Sequence, residues 1–260
     1  MTLEIKDKTG NLVRRYSSTD KPEQPDLKKL KIPRYWIRPL QLPSAKRGMH
    51  RFLWDMHYTL LTGIEPDYPI AAIYGNTPPA PTSPWVMPED YTVVLTANGK
   101  RYTQPLTVKM DPRVKMSAAE LQNQFELSRQ LCDVRATLEP IGKTFDSLVE
   151  QLTKLKEQSL PKNVEDKLNA LNSKIKELGP PNPRPGAPPS LHALDSAKSL
   201  FEQIQGVDIP TTDRVKAAVG DVRLQATSLI ERWKNIIAQD VPALNNELRT
   251  AGLPHINIVP

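Results

Sequence analysis

The sequence predicts a β plus α chain: a small antiparallel β-sandwich over residues 1–112, then an antiparallel α-helical bundle over residues 113–254, with a short tail at 255–260. Three observations lead there. Apolar residues alternate before Asp111 and recur every three or four positions after it. Turn signals are frequent in the first part only. Proline is abundant, 26 of 260 residues, and gathers in stretches at 18–44, 64–89 and 179–189. It has no N–H for a ladder, so these stretches read as stiff connections rather than paired strands.

The first strand is "LEIKD", with Leu3 and Ile5 on one face. "KTGN" is a turn and "LVRRY" the returning strand. Residues 91–110, "YTVVLTANGKRYTQPLTVKM", are the clearest hairpin. Asn98-Gly99 supplies the two positive φ angles of a tight primed turn. Pro105 interrupts the return strand, which predicts an edge strand or a bulge. "GMHRFLWDMHY", residues 48–58, reads as a central strand with Phe52 and Trp54 in the core and Asp55 capping the following turn. Several short strands with turns between them predict the sandwich. The insertions 18–44 and 64–89 wrap it.

Helical period begins with "SAAE", residues 117–120, a capping box. Leu127, Leu131, Val134, Leu138, Ile141, Phe145, Leu148, Leu152 and Leu155 then form one stripe. The stripe keeps register across Pro140, so one kinked helix is predicted rather than two. Asn163 is expected to cap a second helix, Ser190 a third, and Thr211 or Thr212 a fourth that includes Trp233. A short last helix holds Leu244 and Leu248. Residues 179–189, "GPPNPRPGAPP", read as a stiff linker. Each helix is apolar on one stripe only and must pack to be stable.

Composition narrows the function classes. The net charge of +6 is unevenly placed: residues 1–60 carry 13 Lys+Arg against 6 Asp+Glu, whereas residues 111–260 carry 19 of each. The basic character belongs to the first segment, and no nucleic-acid partner is expected. The lone cysteine, Cys132, rules out an intrachain disulfide and a cysteine-based zinc site. No apolar run reaches the roughly 18 residues of a membrane span. The N-terminus has no basic segment followed by an apolar core, so no signal peptide is expected within this chain.

The candidate sites are few. His50, Asp55 and His57 have residue types that bind metals or move protons. On a strand, residues seven apart point to opposite faces, so His50 and His57 are not expected to converge. No catalytic, metal or cofactor residue is assigned. The run "KKLKIPRYWIRP", residues 28–39, mixes five cations with Tyr35 and Trp36 and reads as a solvated strap anchored by its aromatics. Trp36, Tyr68, Tyr74 and Trp85 lie in or beside the proline-rich insertions; with His57 they are the candidate ligand-binding residues. An exposed, coplanar set of these rings would bind glycan. The enzyme alternative pairs His57 and Asp55 with a loop carboxylate, Glu65 or Asp67, in glycoside or peptide hydrolysis.

"LEIKDKTGNLVRRY", "GMHRFLWDMHY" and "YTVVLTANGKRYTQPLTVKMDPRV" together resemble the C-terminal region of large bacterial BNR-repeat proteins. These are exported, sortilin-like β-propeller proteins often labelled glycosyl hydrolases. "RFLWD" and "LTVKMDPR" are the most specific part, and "DVPALNNELRTAGLP" is similar to the family's ending. The family's usual "PGTY" before the hairpin is replaced by Pro88-Glu89-Asp90-Tyr91. The resemblance implies an Ig-like sandwich, of the kind in the flagellar hook-capping protein, followed by a helical tail. It also implies an extracytoplasmic location and a non-catalytic accessory role beside a β-propeller domain. Any catalytic site would lie in that propeller, so no catalytic residue carries over.

Overall fold

A computed structural model describes residues 1–21, 24–39, 41–64, 66–70, 73–179 and 188–258. Most of the predicted 179–189 linker, and Glu65, lie outside them. The chain divides into a sheet unit, Met1–Arg129 with Val207–Pro210, and a helical unit, Gln130–Gly206 with Thr211–Pro260.

The sheet unit holds four antiparallel strands: β1 (Thr2–Lys6), β2 (Leu12–Ser17), β3 (Asp90–Ala97) and β4 (Lys100–Thr107), in spatial order β2-β1-β3-β4. Both hairpins form where the turn chemistry places them. Between β1 and β2, the Asp7 carboxylate accepts from the backbone N–H of Thr9 at 2.9 Å and of Asn11 at 2.8 Å. Between β3 and β4, Asn98 and Gly99 have φ of 50° and 75°. Pro105 sits on β4, an edge strand exposed along most of its length. Ile5, paired with Val93, and Tyr91, paired with Leu106, lie on one sheet face. They join Val13 and Val86 in a small core, with Tyr16, Trp54, Tyr58, Leu106 and Val108 packed around it.

The expected β-sandwich does not form. Among the described residues there is one small sheet, and residues 48–58 are an extended strap rather than a core strand. A second sheet would need donors along the straps. Pro81, Pro84 and Pro88 have none, and Met56 turns its chain at φ 56°, so among the described residues the segments 48–58 and 81–88 pair in one isolated bridge, His57 with Trp85, rather than in a ladder.

The helices are α1 (Ala118–Lys156), α2 (Lys162–Leu178), α3 (His192–Gln205), α4 (Asp213–Asn235) and α5 (Val241–Thr250). They pack in pairs, α3 with α4 and α2 with α5. The chain is thus a mixed α and β fold, one sheet with helices, and not a sandwich joined to an antiparallel bundle. The capping box is real: the Ser117 N–H donates to Glu120 Oε2 at 2.7 Å, and Ser117 Oγ accepts from the Glu120 N–H at 3.3 Å. Helix α1 runs unbroken through Pro140, as the stripe requires. Its first turns belong to the sheet unit, where Phe125 lies 5.3 Å from the Tyr58 ring and Arg129 5.6 Å.

Three helix ends differ from expectation. Helix α2 starts after Pro161, and the side chain of Asn163 instead donates to Glu247. Leu191, not Ser190, is the cap of α3, although Ser190 Oγ accepts a long 3.4 Å bond from the His192 N–H. Helix α4 joins α5 through a π-helical turn, Ile236–Asp240. The Val241 N–H reaches back to the Ile236 carbonyl. This widened turn admits Pro242, whose ring would clash with the carbonyl four residues earlier in a regular helix. Thr212 does cap α4, accepting from the Val215 N–H at 3.3 Å.

Candidate functional site

The straps of the sheet unit hold two clusters of functional side chains. The first is the crossing of residues 55–58 with 83–86. The Tyr58 N–H donates to the Pro84 carbonyl at 3.1 Å, and the Val86 N–H to the Met56 carbonyl at 2.8 Å. These bonds flank His57 and Trp85, whose rings lie 4.0 Å apart. Ser83 Oγ donates to the Tyr58 carbonyl at 2.8 Å, and the Trp54 indole N–H to the His57 carbonyl at 3.2 Å. Arg14, on β2, donates to the Tyr58 carbonyl at 2.8 Å and lies 3.9 Å from the Asp55 carboxylate. The crossing is therefore anchored to the sheet.

His57 is 5% exposed. Its Nδ1 lies 3.1 Å from the Asp55 carbonyl, which can only accept, so Nδ1 carries the proton. Nε2 is buried and has no hydrogen-bond partner. The Asp55 carboxylate does not meet the imidazole. Its Oδ1 accepts from the His57 backbone N–H at 3.2 Å and from the Tyr16 hydroxyl at 3.4 Å. Burial pushes the His57 pKa below its ordinary value; the Asp55 carboxylate opposes the shift and Arg14 adds to it. Burial likewise raises Tyr16 to about 12, with Arg14 lowering and Asp55 raising it. Asp55 thus closes a turn and holds Tyr16. It is not oriented to draw a proton from the ring.

The second cluster joins residues 34–38 to the turn at 73–77. The Thr77 N–H donates to the Trp36 carbonyl at 3.0 Å, the Arg38 N–H to the Thr77 carbonyl at 2.9 Å, and the Gly75 N–H to the Tyr35 carbonyl at 3.1 Å. Buried Thr77 braces the turn: its hydroxyl accepts from the Ile73 N–H at 2.7 Å and donates to the Ile73 carbonyl at 3.0 Å. Gly75 has φ 61°, which an L side chain there would strain. Tyr35 and Tyr74 are thereby held 5.9 Å apart, 63% and 77% exposed. The Arg38 guanidinium donates to Asn76 Oδ1 at 2.8 Å beside them.

The candidate residues fare differently. Tyr74 and Trp85 are exposed, Trp36 is half-buried, and Tyr68 is 5% exposed. Tyr68 lines a cavity of about 220 Å³ with Lys31 and Asp67, which pair at 3.5 Å. A platform of all four rings does not assemble. His57 lies under Trp85, away from water. His50 bonds the Lys46 carbonyl at 2.8 Å and is exposed, so the two histidines do not converge. Two residues escaped the reading of the chain. The sequence pattern expects both Tyr35 and Trp36 to anchor the strap, but only Trp36 turns inward; "RYW" after Pro33 forms a single 3-10 turn whose facing no periodicity reveals. Arg14 reads as one of two adjacent strand cations, with nothing local to mark its partner 44 residues away.

Among the described residues, no group of three or more His, Cys, Asp or Glu side chains is placed to hold a metal ion. No helix among them is long and apolar enough to cross a membrane. No protein-family model, curated protein or solved structure matches the chain.

Proposed function

We propose that this chain is a non-catalytic accessory module that docks a β-propeller domain, as its resemblance to the C-terminal region of exported BNR-repeat proteins implies, and that it works outside the cytoplasm. One observation supports this reading. Of the sixteen large apolar side chains exposed among the described residues, ten lie between residues 27 and 85, on the straps. They include Met49, Ile70, Ile73 and Tyr74, each more than 60% exposed. Exposed apolar groups are ordinary when scattered. Tyr35, Ile73 and Tyr74 sit where backbone bonds tie residues 34–38 to 73–77, and Met56 and Trp85 at the crossing of residues 55–58 with 83–86, which suits the contact surface of a docking module. Tyrosine and arginine, both present here, are also the side chains enriched at the energetic centres of interfaces.

The test is sedimentation velocity of the full chain with a purified BNR-repeat β-propeller domain. A 1:1 complex is expected, weakened at least tenfold by Tyr35→Ser with Tyr74→Ser while the thermal midpoint is kept. Absence of a complex at tens of micromolar would overturn the proposal. A second reading, glycan recognition, is favoured by the exposure of Tyr74 and Trp85. Titration with soluble cell-wall glycan distinguishes it: binding lost in Tyr74→Ser or Trp85→Ser, without propeller binding, replaces docking by glycan recognition.

A further inference from the structure

The buried face of His57 is built to hold one protonation state. Its Nδ1–H has an acceptor, the Asp55 carbonyl at 3.1 Å, and its Nε2 faces neither water nor a donor or acceptor. A neutral ring protonated at Nδ1 fits this site. A ring protonated at both nitrogens would bring a second, buried N–H with no acceptor to receive it. The titratable groups around it are known. From its own strap comes the Asp55 carboxylate, which favours the imidazolium. From β2 come Arg14, which disfavours it, and Tyr16, which bonds Asp55. The opposite strap, residues 84–86, brings Trp85 between Pro84 and Val86 and no ionisable group.

The local backbone is also poised to let go. Met56, next to His57, holds φ at 56°, a left-handed conformation that strains a non-glycine residue. The crossing keeps it there through the Val86 N–H to Met56 carbonyl bond. Opening would relax Met56 and give Nε2 access to water together. Among the described residues, two backbone bonds join the straps at the bridge, from Tyr58 to Pro84 and from Val86 to Met56, beside the Ser83 hydroxyl bond to the Tyr58 carbonyl.

We propose that the crossing of residues 55–58 with 83–86 is an acid-released latch, closed while His57 is neutral and opened when Nε2 takes a proton. The sign follows from the geometry. Burial disfavours the charged ring, so the closed crossing binds its proton more weakly than the open one. The latch is therefore fully stable above the ordinary histidine value of 6.5 and loses stability as pH falls below it, towards the lower value of the closed state. In this range, opening grows by up to about tenfold per pH unit. Released straps would rearrange the apolar groups they carry, Leu53 and Met56 among them. The latch goes beyond the docking proposal and does not depend on it.

The experiment uses the full chain between pH 7.5 and 4.5. The His57 Cε1–H resonance reports its titration, and hydrogen exchange of the Tyr58 and Val86 amides reports the crossing. The expected result is a His57 midpoint below 6.5, with protection at both amides falling in step as the ring charges and amides of α2 and α4 unchanged. His57→Leu should make that protection independent of pH in this range. If the leucine variant does not fold, the wild-type titration and exchange decide alone. Three results would overturn the latch: His57 charging at or above 6.5 with the crossing closed, protection lost without His57 charging, or neither change down to pH 4.5.

Discussion

The two units are stabilised in different ways. Among the described residues, the helical unit has a large apolar core cluster of 21 buried side chains, from Leu138 to Ile256, with further buried apolar side chains such as Phe201 and Val219. Among the described residues, the sheet unit's core cluster around Ile5 and Tyr91 has four buried side chains, and much of its order comes from side-chain and backbone bonds that tie proline-rich straps to a small sheet. A core of leucines on helical stripes is insensitive to pH and tolerant of modest change. An architecture of individual hydrogen bonds around a sealed histidine is not. The comparison predicts that perturbations of the helical unit act through volume, and those of the sheet unit through single polar atoms.

The largest effect should come from Leu148→Ala, at a side chain with no exposed surface. A loss of about 2–5 kcal/mol is expected in urea unfolding, from lost burial and the cavity left behind. A loss below about 1 kcal/mol would mean the helical core is looser than its burial implies. Next, Pro140→Ala should stabilise α1 by up to about 3 kcal/mol, because it restores an interior N–H and removes the ring's clash. A lower thermal midpoint instead would show that packing around the proline outweighs the helix's own preference.

In the sheet unit, Tyr91→Phe removes a buried hydroxyl that donates to the Met87 carbonyl at 2.7 Å. The expected loss is about 1 kcal/mol, with the change confined to nuclear magnetic resonance shifts of the sheet unit. Its volume is nearly unchanged, so an effect near zero would contradict the dependence on single bonds. The smallest effect is at Thr212→Ala. The cap bond is long, at 3.3 Å, and a loss of about 0.5 kcal/mol is expected by thermal unfolding.

Much of this was legible in the chain, unevenly. The stripe from Leu127 to Leu155 located α1, and its unbroken register correctly carried the helix across Pro140. Asn98-Gly99 located the β3–β4 hairpin, and Pro105 marked β4 as an edge. The capping box at Ser117 and Glu120 was readable because both partners lie within four residues. The segment around Trp54 was misread. Its alternation of apolar and polar residues is that of a strand, and alternation cannot say whether a partner with free donors exists. The same limit hid the strap crossing, since Arg14, Ser83 and Trp85 are distant in sequence from the histidine they surround.

The sequence by itself determined where helices run and where two hairpins turn, because periodicity, capping and left-handed turn residues act within a few positions. Tertiary structure alone decided that there is one sheet and not two, that Tyr35 rather than Trp36 meets solvent, and that His57 is sealed beneath Trp85. Each of those depends on which distant segment supplies the missing hydrogen bond or covers the ring. Such a choice is settled by competition among all the pairings the chain can make.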